Sequence, residues 1–182
     1  MELLNLRKIV ACGVALALFA SPAGGTAHLE PTEYGVKSVF LYQFCRFMEW
    51  PDSAFSSPND PLIIGVIGED PFGPLLKEAV EGETYHGRPI RIEHYHNPRD
   101  IKRCHLLFVS RSSVDQTGEI VSAVAGKSIV TVGETVGFLE KGGMIALTAE
   151  RNRVRVRVNT ATLRAANVDV SSKLLRVAET KS

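Results

Sequence analysis

His94 and His96 stand two apart, and Cys104 and His105 follow shortly after. Imidazole and thiolate are zinc ligands, so these residues are the first to weigh as a metal site. Two histidines at i and i+2 on a strand would face the same side. No fourth ligand arrives at a defined spacing, however, and two exposed histidines at a strand end account for the pattern, so no metal is assigned. Nucleophilic and cofactor chemistry leave no stronger trace. There is no GxSxG elbow and no P-loop, and Gly65, Gly68 and Gly73 lack the spacing of a dinucleotide-binding turn. No catalytic residue and no cofactor is assigned.

Polar residues do gather where an open α/β sheet would hold a ligand, beyond the carboxyl ends of its strands. Those ends read Gly68-Glu69-Asp70, Ser110-Arg111 and Gly133-Glu134-Thr135. The candidate crevice is therefore Asp70, Phe72, Ser110, Arg111, Glu134 and Thr135. Asp70 followed by Pro71 reads as an N-cap and first helical residue, so a helix N-terminus over 70–72 could meet an anion, although Asp70 itself opposes one. Farther on, Arg153, Arg155 and Arg157 alternate along RVRVRV. This stripe either docks an acidic partner or guards an edge strand against aggregation by its charge.

These residues need a scaffold, and the chain spells one. Val36, Phe40, Phe44 and Phe47 keep helical spacing, with Leu41, Cys45 and Met48 widening the apolar face. The pattern predicts an amphipathic helix over about 32–49, stopped by Trp50-Pro51 and covering one face of a sheet. LIIGVI at 62–67, HLLFVS at 105–110 and KSIVTV at 127–132 are short continuous apolar runs, the mark of strands buried on both sides. Another strand is expected at 88–95, a helical turn at 98–103, and helices at 118–125, 135–140 and 171–178. Strand and helix in alternation predict right-handed βαβ units on a mostly parallel sheet. MIALTAE and RVRVRV, folded back at Arg151-Asn152, predict an antiparallel hairpin. Ile145, Leu147 and Ala149 then meet Val158, Val156 and Val154, while Thr148 and Glu150 meet Arg155 and Arg153. The fold class is α/β: a single three-layer domain, mostly parallel, with a C-terminal antiparallel hairpin and helices on both faces.

Residues 1–27 place Arg7 and Lys8 before an apolar run, Ile9 to Ala20, followed by small residues. The run is well short of the roughly 20 residues of a membrane-spanning helix. A signal peptide cleaved after Ala23 or Ala27 fits this order, leaving residues 28–182 as one exported domain. Removing Arg7, Lys8 and Glu2 brings the formal charge from +1 to 0. A nucleic-acid ligand is not expected without a net basic face. Cys45 and Cys104 remain after cleavage, either as a pair in an oxidising compartment or as two separate buried thiols.

Several of these stretches, taken in order, resemble the YfiR-like family of periplasmic proteins. They are Val36-Lys37 with Phe40-Leu41-Tyr42, Phe44, Phe47 and Glu49-Trp50-Pro51; Ile64-Gly65-Val66 with Gly68 to Gly73; Cys104 to Ser110; Thr131 to Glu134; Gly142 to Ile145; Asn152 to Val154; and Val170 to Leu175. The resemblance spans about residues 33–178. It implies a regulator that binds the periplasmic sensor region of a membrane diguanylate cyclase, or of a sensor kinase, and holds it inactive. It also implies an outer-membrane lipoprotein that captures the repressor, a link to biofilm formation, and a homodimer. Some family members carry two disulfides, which two cysteines cannot form. A small-molecule or sensory module using the strand-end crevice is the alternative reading. If the strands at 62–67 and 105–110 are neighbours, Cys104 and the end of the aromatic helix lie at the same sheet edge, and a Cys45–Cys104 bridge is expected.

Overall fold

A computed structural model describes residues 32–151 and 153–181, so the expected signal peptide and its expected cleavage positions lie outside the described residues. Helix α1 spans Glu33–Phe47, and Thr32 caps it by accepting the Gly35 N–H through Oγ1 at 3.1 Å. It ends two residues before the expected position. Met48–Glu49 turns extended as β1 and pairs antiparallel with Asp169–Val170, so tertiary pairing outcompetes the helical pattern. Leu41, Phe44, Cys45 and Met48 face the core, whereas Val36, Phe40 and Phe47 are half-buried and Val39 is 51% exposed. The buried line is thus rotated from the expected stripe, and it includes Lys37 and Ser38.

After a 3₁₀ turn at Asp52–Ala54, β2 (Leu62–Ile67) is buried along its whole length. Helix α2 spans Pro74–Val80, β3 Thr84–Tyr85 and β4 Arg88–Tyr95. A 3₁₀ turn at Pro98–Asp100 leads to β5 (Leu106–Val109). Another at Arg111–Gln116 leads into α3 (Thr117–Val124) and then β6 (Val130–Gly133). The chain continues through β7 (Ile145–Glu150), β8 (Arg153–Asn159), α4 (Thr160–Ala165), β9 (Asp169–Val170), α5 (Ser172–Val177) and β10 (Glu179–Lys181). Residues 135–140 are turns, not the expected helix. Gly137 and Gly142 take left-handed φ of 86° and 90°, and Phe138 folds against Gly133 and Gly143, where a Cβ would come within 2.3 Å of its ring.

One eight-stranded sheet runs β10-β8-β7-β6-β5-β2-β4-β3, and β1 with β9 forms a small second sheet. Strands β4, β2, β5, β6 and β7 are mutually parallel, in flavodoxin-like order, with β2 and β5 adjacent as expected. The hairpin has the expected register, Ile145 opposite Val158 through Glu150 opposite Arg153. Strand β10 lies parallel to β8, so the arginine-bearing strand is internal and needs no edge protection. Helices α1, α2, α4 and α5 contribute Phe44, Leu76, Leu163 and Leu174 to the core on one face. Ile120 and Val124 of α3 join Phe138 and Leu139 on the other, completing three layers.

Candidate functional site

The strand order reverses between β2 and β5, so the expected ligand crevice opens at Gly68 and Ser110. Side chains fill it. Gly68 has φ 94°, and a Cβ there would lie 2.4 Å from Ser113 Oγ and 2.5 Å from Ser112 Oγ. The Glu69 N–H donates to Ser112 Oγ at 2.8 Å, and the hydroxyls of Ser110 and Ser112 are 3.2 Å apart. Asp70 does not cap a helix. Its Oδ1 accepts the Phe72 N–H at 2.8 Å in a local turn, and its Oδ2 lies 3.1 Å from His94 Nε2. Helix α2 begins only at Pro74, so residues 70–72 present no helix N-terminus to an anion. Phe72 points inward, 4.7 Å from Phe108 and 5.7 Å from Tyr34, ring centre to ring centre.

Glu134 is the centre of what remains. Its wholly buried carboxylate accepts the Arg111 backbone N–H at 2.9 Å, Lys37 Nζ at 2.6 Å and the Tyr34 hydroxyl at 3.1 Å. The Arg111 guanidinium, largely exposed, reaches to 3.9 Å. Lys37 is also wholly buried and pairs with Glu33 at 2.5 Å. Burial and the neighbouring Glu134 raise the Tyr34 pKa, so the phenol keeps its proton and donates it. Of the six crevice residues, then, Arg111 and Glu134 meet. Asp70 pairs elsewhere, Phe72 joins the core, Ser110 is buried among serines, and Thr135 opens a turn.

The residues that the sequence reading missed, Glu33, Tyr34 and Lys37, all come from the first turns of α1. A signal was available: Lys37 precedes Leu41 and Cys45 at four-residue steps, a cation on a buried line, and Glu33 lies four residues before it. Lys37 is enclosed between two carboxylates. The network therefore fastens α1 to the carboxyl ends of β5 and β6, rather than offering an amine to a substrate.

The other candidates separate. His105 turns into the core beneath Phe55, Cys104 is buried, and no three His, Cys, Asp or Glu side chains gather as a metal site among the described residues. The expected bridge is absent, because Cys45 and Cys104 are free thiols on opposite faces of the sheet. Cys104 follows the face of Gly65 and Leu107, whereas Cys45 lies under α1 with Leu62 and Ile64. Sharing a sheet edge was not enough, since the strands themselves separate the two. Burial pushes the Cys104 thiol up to about 12 and raises Cys45 further.

In the arginine stripe, Arg157 meets Glu150 at 2.7 Å and Glu179 at 3.4 Å, and Arg155 lies 3.8 Å from Glu179. Much of its charge is answered within the chain. The apolar surface lies elsewhere. Val36, Val39, Phe40 and Phe47 of α1 line, with Leu174, a groove of about 340 Å³. A cleft of about 670 Å³ between α2 and β4 has Leu76, Val80, Ile90 and Ile92 in its lining. No helix among the described residues is long and apolar enough to cross a membrane.

A sequence profile of the YfiR/HmsC-like family matches residues 34–179. No curated protein matches the chain with significance. A conserved domain protein of Vibrio cholerae O1 biovar eltor aligns with a TM-score of 0.50 and 12% identity, over 65% of this chain and 54% of its own. The ABC domain of a Streptococcus pneumoniae protein, solved in complex with L-Trp, aligns at 0.53 and 11% identity, over 80% and 59%. The chain thus spans just over half the length of each, and the likeness is one of fold.

Proposed function

This chain belongs to the YfiR/HmsC-like family, and from that premise we propose that it is a periplasmic regulator that binds the periplasmic sensor region of a membrane diguanylate cyclase, holds the enzyme inactive and so lowers cyclic di-GMP. The observation that carries this reading is the extent of the family match, which covers nearly all the described residues. The site geometry supports a binding role over a catalytic one. The crevice where an α/β fold would take a small molecule is filled by its own serines, and the central lysine is enclosed. Apolar surface is left instead on the outside of α1, where a protein partner can reach it. A sensor kinase is the alternative target, and an outer-membrane lipoprotein that sequesters the regulator would relieve the inhibition.

Inhibition by binding requires a preference for the inactive state of the target. Moving a two-state enzyme from mostly on to mostly off, 1:99 to 99:1, takes about 5.5 kcal/mol of differential affinity. The test is a deletion strain. Cyclic di-GMP should rise on deletion and fall again when the exported protein is restored, but not when the same protein is made without residues 1–27. Unchanged cyclic di-GMP on deletion would refute the reading. A small metabolite retained through purification would favour the sensory-module alternative.

A further inference from the structure

A cleft of about 670 Å³ lies between α2 and β4, floored by Leu76, Val80, Ile90 and Ile92. The outer edge of β4 runs beside it. Strand β3 fills only the beginning of that edge, antiparallel, opposite Arg88 and Pro89. Farther along, Tyr95 presents its carbonyl to the β2 side, where it accepts the Gly68 N–H at 3.2 Å. Alternation turns Arg91 and Glu93 toward β2 as well, so the N–H and C=O groups of Ile92 and His94 face outward. No strand among the described residues pairs with them. Open backbone groups and an apolar trough thus lie side by side. A small molecule in the trough would leave the backbone row unanswered, and a helix has no free backbone groups to offer it. An extended chain answers both.

We propose that this edge takes up an extended segment of another protein as an added antiparallel strand, in line with β3, whose alternate side chains enter the α2–β4 cleft. The pairing sets the chemistry of that guest segment position by position. The guest residue opposite Ile92 exchanges both backbone hydrogen bonds with it, and the one opposite His94 does the same. Residues opposite each other in a ladder point to one face, so the guest residue opposite Ile92 enters the cleft and is apolar. The guest residues opposite Glu93 and Arg91 lie on the other face, where both host side chains are exposed. Arg91 makes no hydrogen bond or ion pair among the described residues, and Glu93 accepts only the Tyr95 hydroxyl, at 2.7 Å. A basic guest residue therefore suits Glu93 and an acidic one suits Arg91. Where the guest leaves the edge beside β3, Glu81 and Glu83 line the end of the cleft and favour a second basic residue. From its N-terminus the guest reads basic, apolar, acidic, basic. The same two edge charges discourage pairing with wholly apolar strands.

The test uses a fluorescein-labelled, end-capped peptide with Val-Lys-Val-Glu-Lys at its centre, titrated with the exported protein and read by fluorescence anisotropy. Saturable binding is expected. Methylating the backbone nitrogen of the second valine, which donates to the Ile92 carbonyl, should weaken binding about tenfold or more. Methylating that of the first lysine, whose N–H points away from β4, should change little. Glu93→Lys should weaken the parent peptide about fivefold, and a peptide with glutamate in place of its first lysine should regain the loss on this variant. Tyr95 keeps the Arg103 carbonyl as an acceptor there, at 3.0 Å, and circular dichroism checks the fold. A peptide that stays free, as it would if a second copy of the chain took the edge, overturns the proposal. Equal effects of the two methylations would mark apolar docking without strand addition, and a loss that the exchanged peptide does not regain would remove the charge pairing; either also overturns it. The probe contains no cyclase sequence, so its failure leaves the regulatory reading standing, and an unchanged deletion strain leaves this one standing.

Discussion

Acid should destabilise this protein through one buried histidine. His105 is only 4% exposed, stacked on Phe55 at 4.4 Å and edge-on to Trp50 at 6.1 Å. The Ile63 N–H points at its Nδ1 from 3.0 Å, and the Ala54 carbonyl lies 3.2 Å from Nε2. Nδ1 must therefore accept and Nε2 must donate, which makes the ring neutral. A proton added at Nδ1 would meet the Ile63 donor and charge a ring that burial keeps from water. Burial is the main reason its pKa falls from 6.5 to about 4, with Arg88 adding to it and the Ala54 carbonyl opposing. The unfolded chain thus binds this proton more readily than the folded one. The stabilisation is complete above pH 6.5 and is lost as pH falls toward 4. Linkage puts the loss at about 0.8 kcal/mol by pH 6, about 2 kcal/mol by pH 5 and about 3 kcal/mol by pH 4. The assay is urea unfolding across this range for the wild type and for His105→Asn, whose Oδ1 can still accept from Ile63 but cannot titrate. The variant should be less stable near neutrality, having lost the ring stack, and the difference between the two curves should narrow by about 3 kcal/mol toward pH 4. Parallel curves would refute the reasoning, because other acid-sensitive groups are common to both proteins.

Three further outcomes follow from buried charge, register and thiol burial. Lys37→Met strands the Glu134 carboxylate and should cost roughly 3 kcal/mol, the low end for a broken buried pair because Tyr34 and Arg111 still donate to it. Combined with Glu134→Leu, the loss should be about 2 kcal/mol smaller than the sum of the single losses, and strict additivity in urea titrations would show that the pair is not coupled. Val156→Asp buries an unpaired charge and should cost on the order of 3 kcal/mol, whereas Arg155→Asp should change stability by no more than about 1 kcal/mol. Thermal melts giving the reverse order would contradict the register. Cys45 and Cys104 should resist alkylation in the native protein and both react after denaturation without reductant; an intact mass lacking either adduct would refute two free thiols.

Local rules read much of this fold directly. Continuous apolar runs marked β2, β5 and β6 because a strand covered on both faces admits a polar side chain only where it finds a partner, as Thr131 of β6 does in accepting the Met144 N–H at 3.1 Å. The hairpin register was legible residue by residue because two-residue alternation decides which face the valines of RVRVRV share, and the two-residue turn between Glu150 and Arg153 sets which residues pair. Motifs spread along the chain identified the family. Other features depended on groups distant in sequence. Met48 and Glu49 left the helix because Val170 and Asp169 were there to pair with them. Residues 135–140 form turns because Phe138 fills the space over Gly133 and Gly143. The site shows the same division. Arg111 and Glu134 could be placed at strand ends, since strand direction alone determines that. That Glu134 is buried, and that Lys37 and Tyr34 arrive from a helix about 100 residues earlier to meet it, depends on how α1 lies across the sheet. The cysteines were misjudged for a related reason. Sequence locates a residue along a strand or helix, but a sheet has two faces, and only tertiary packing puts Cys45 on one and Cys104 on the other.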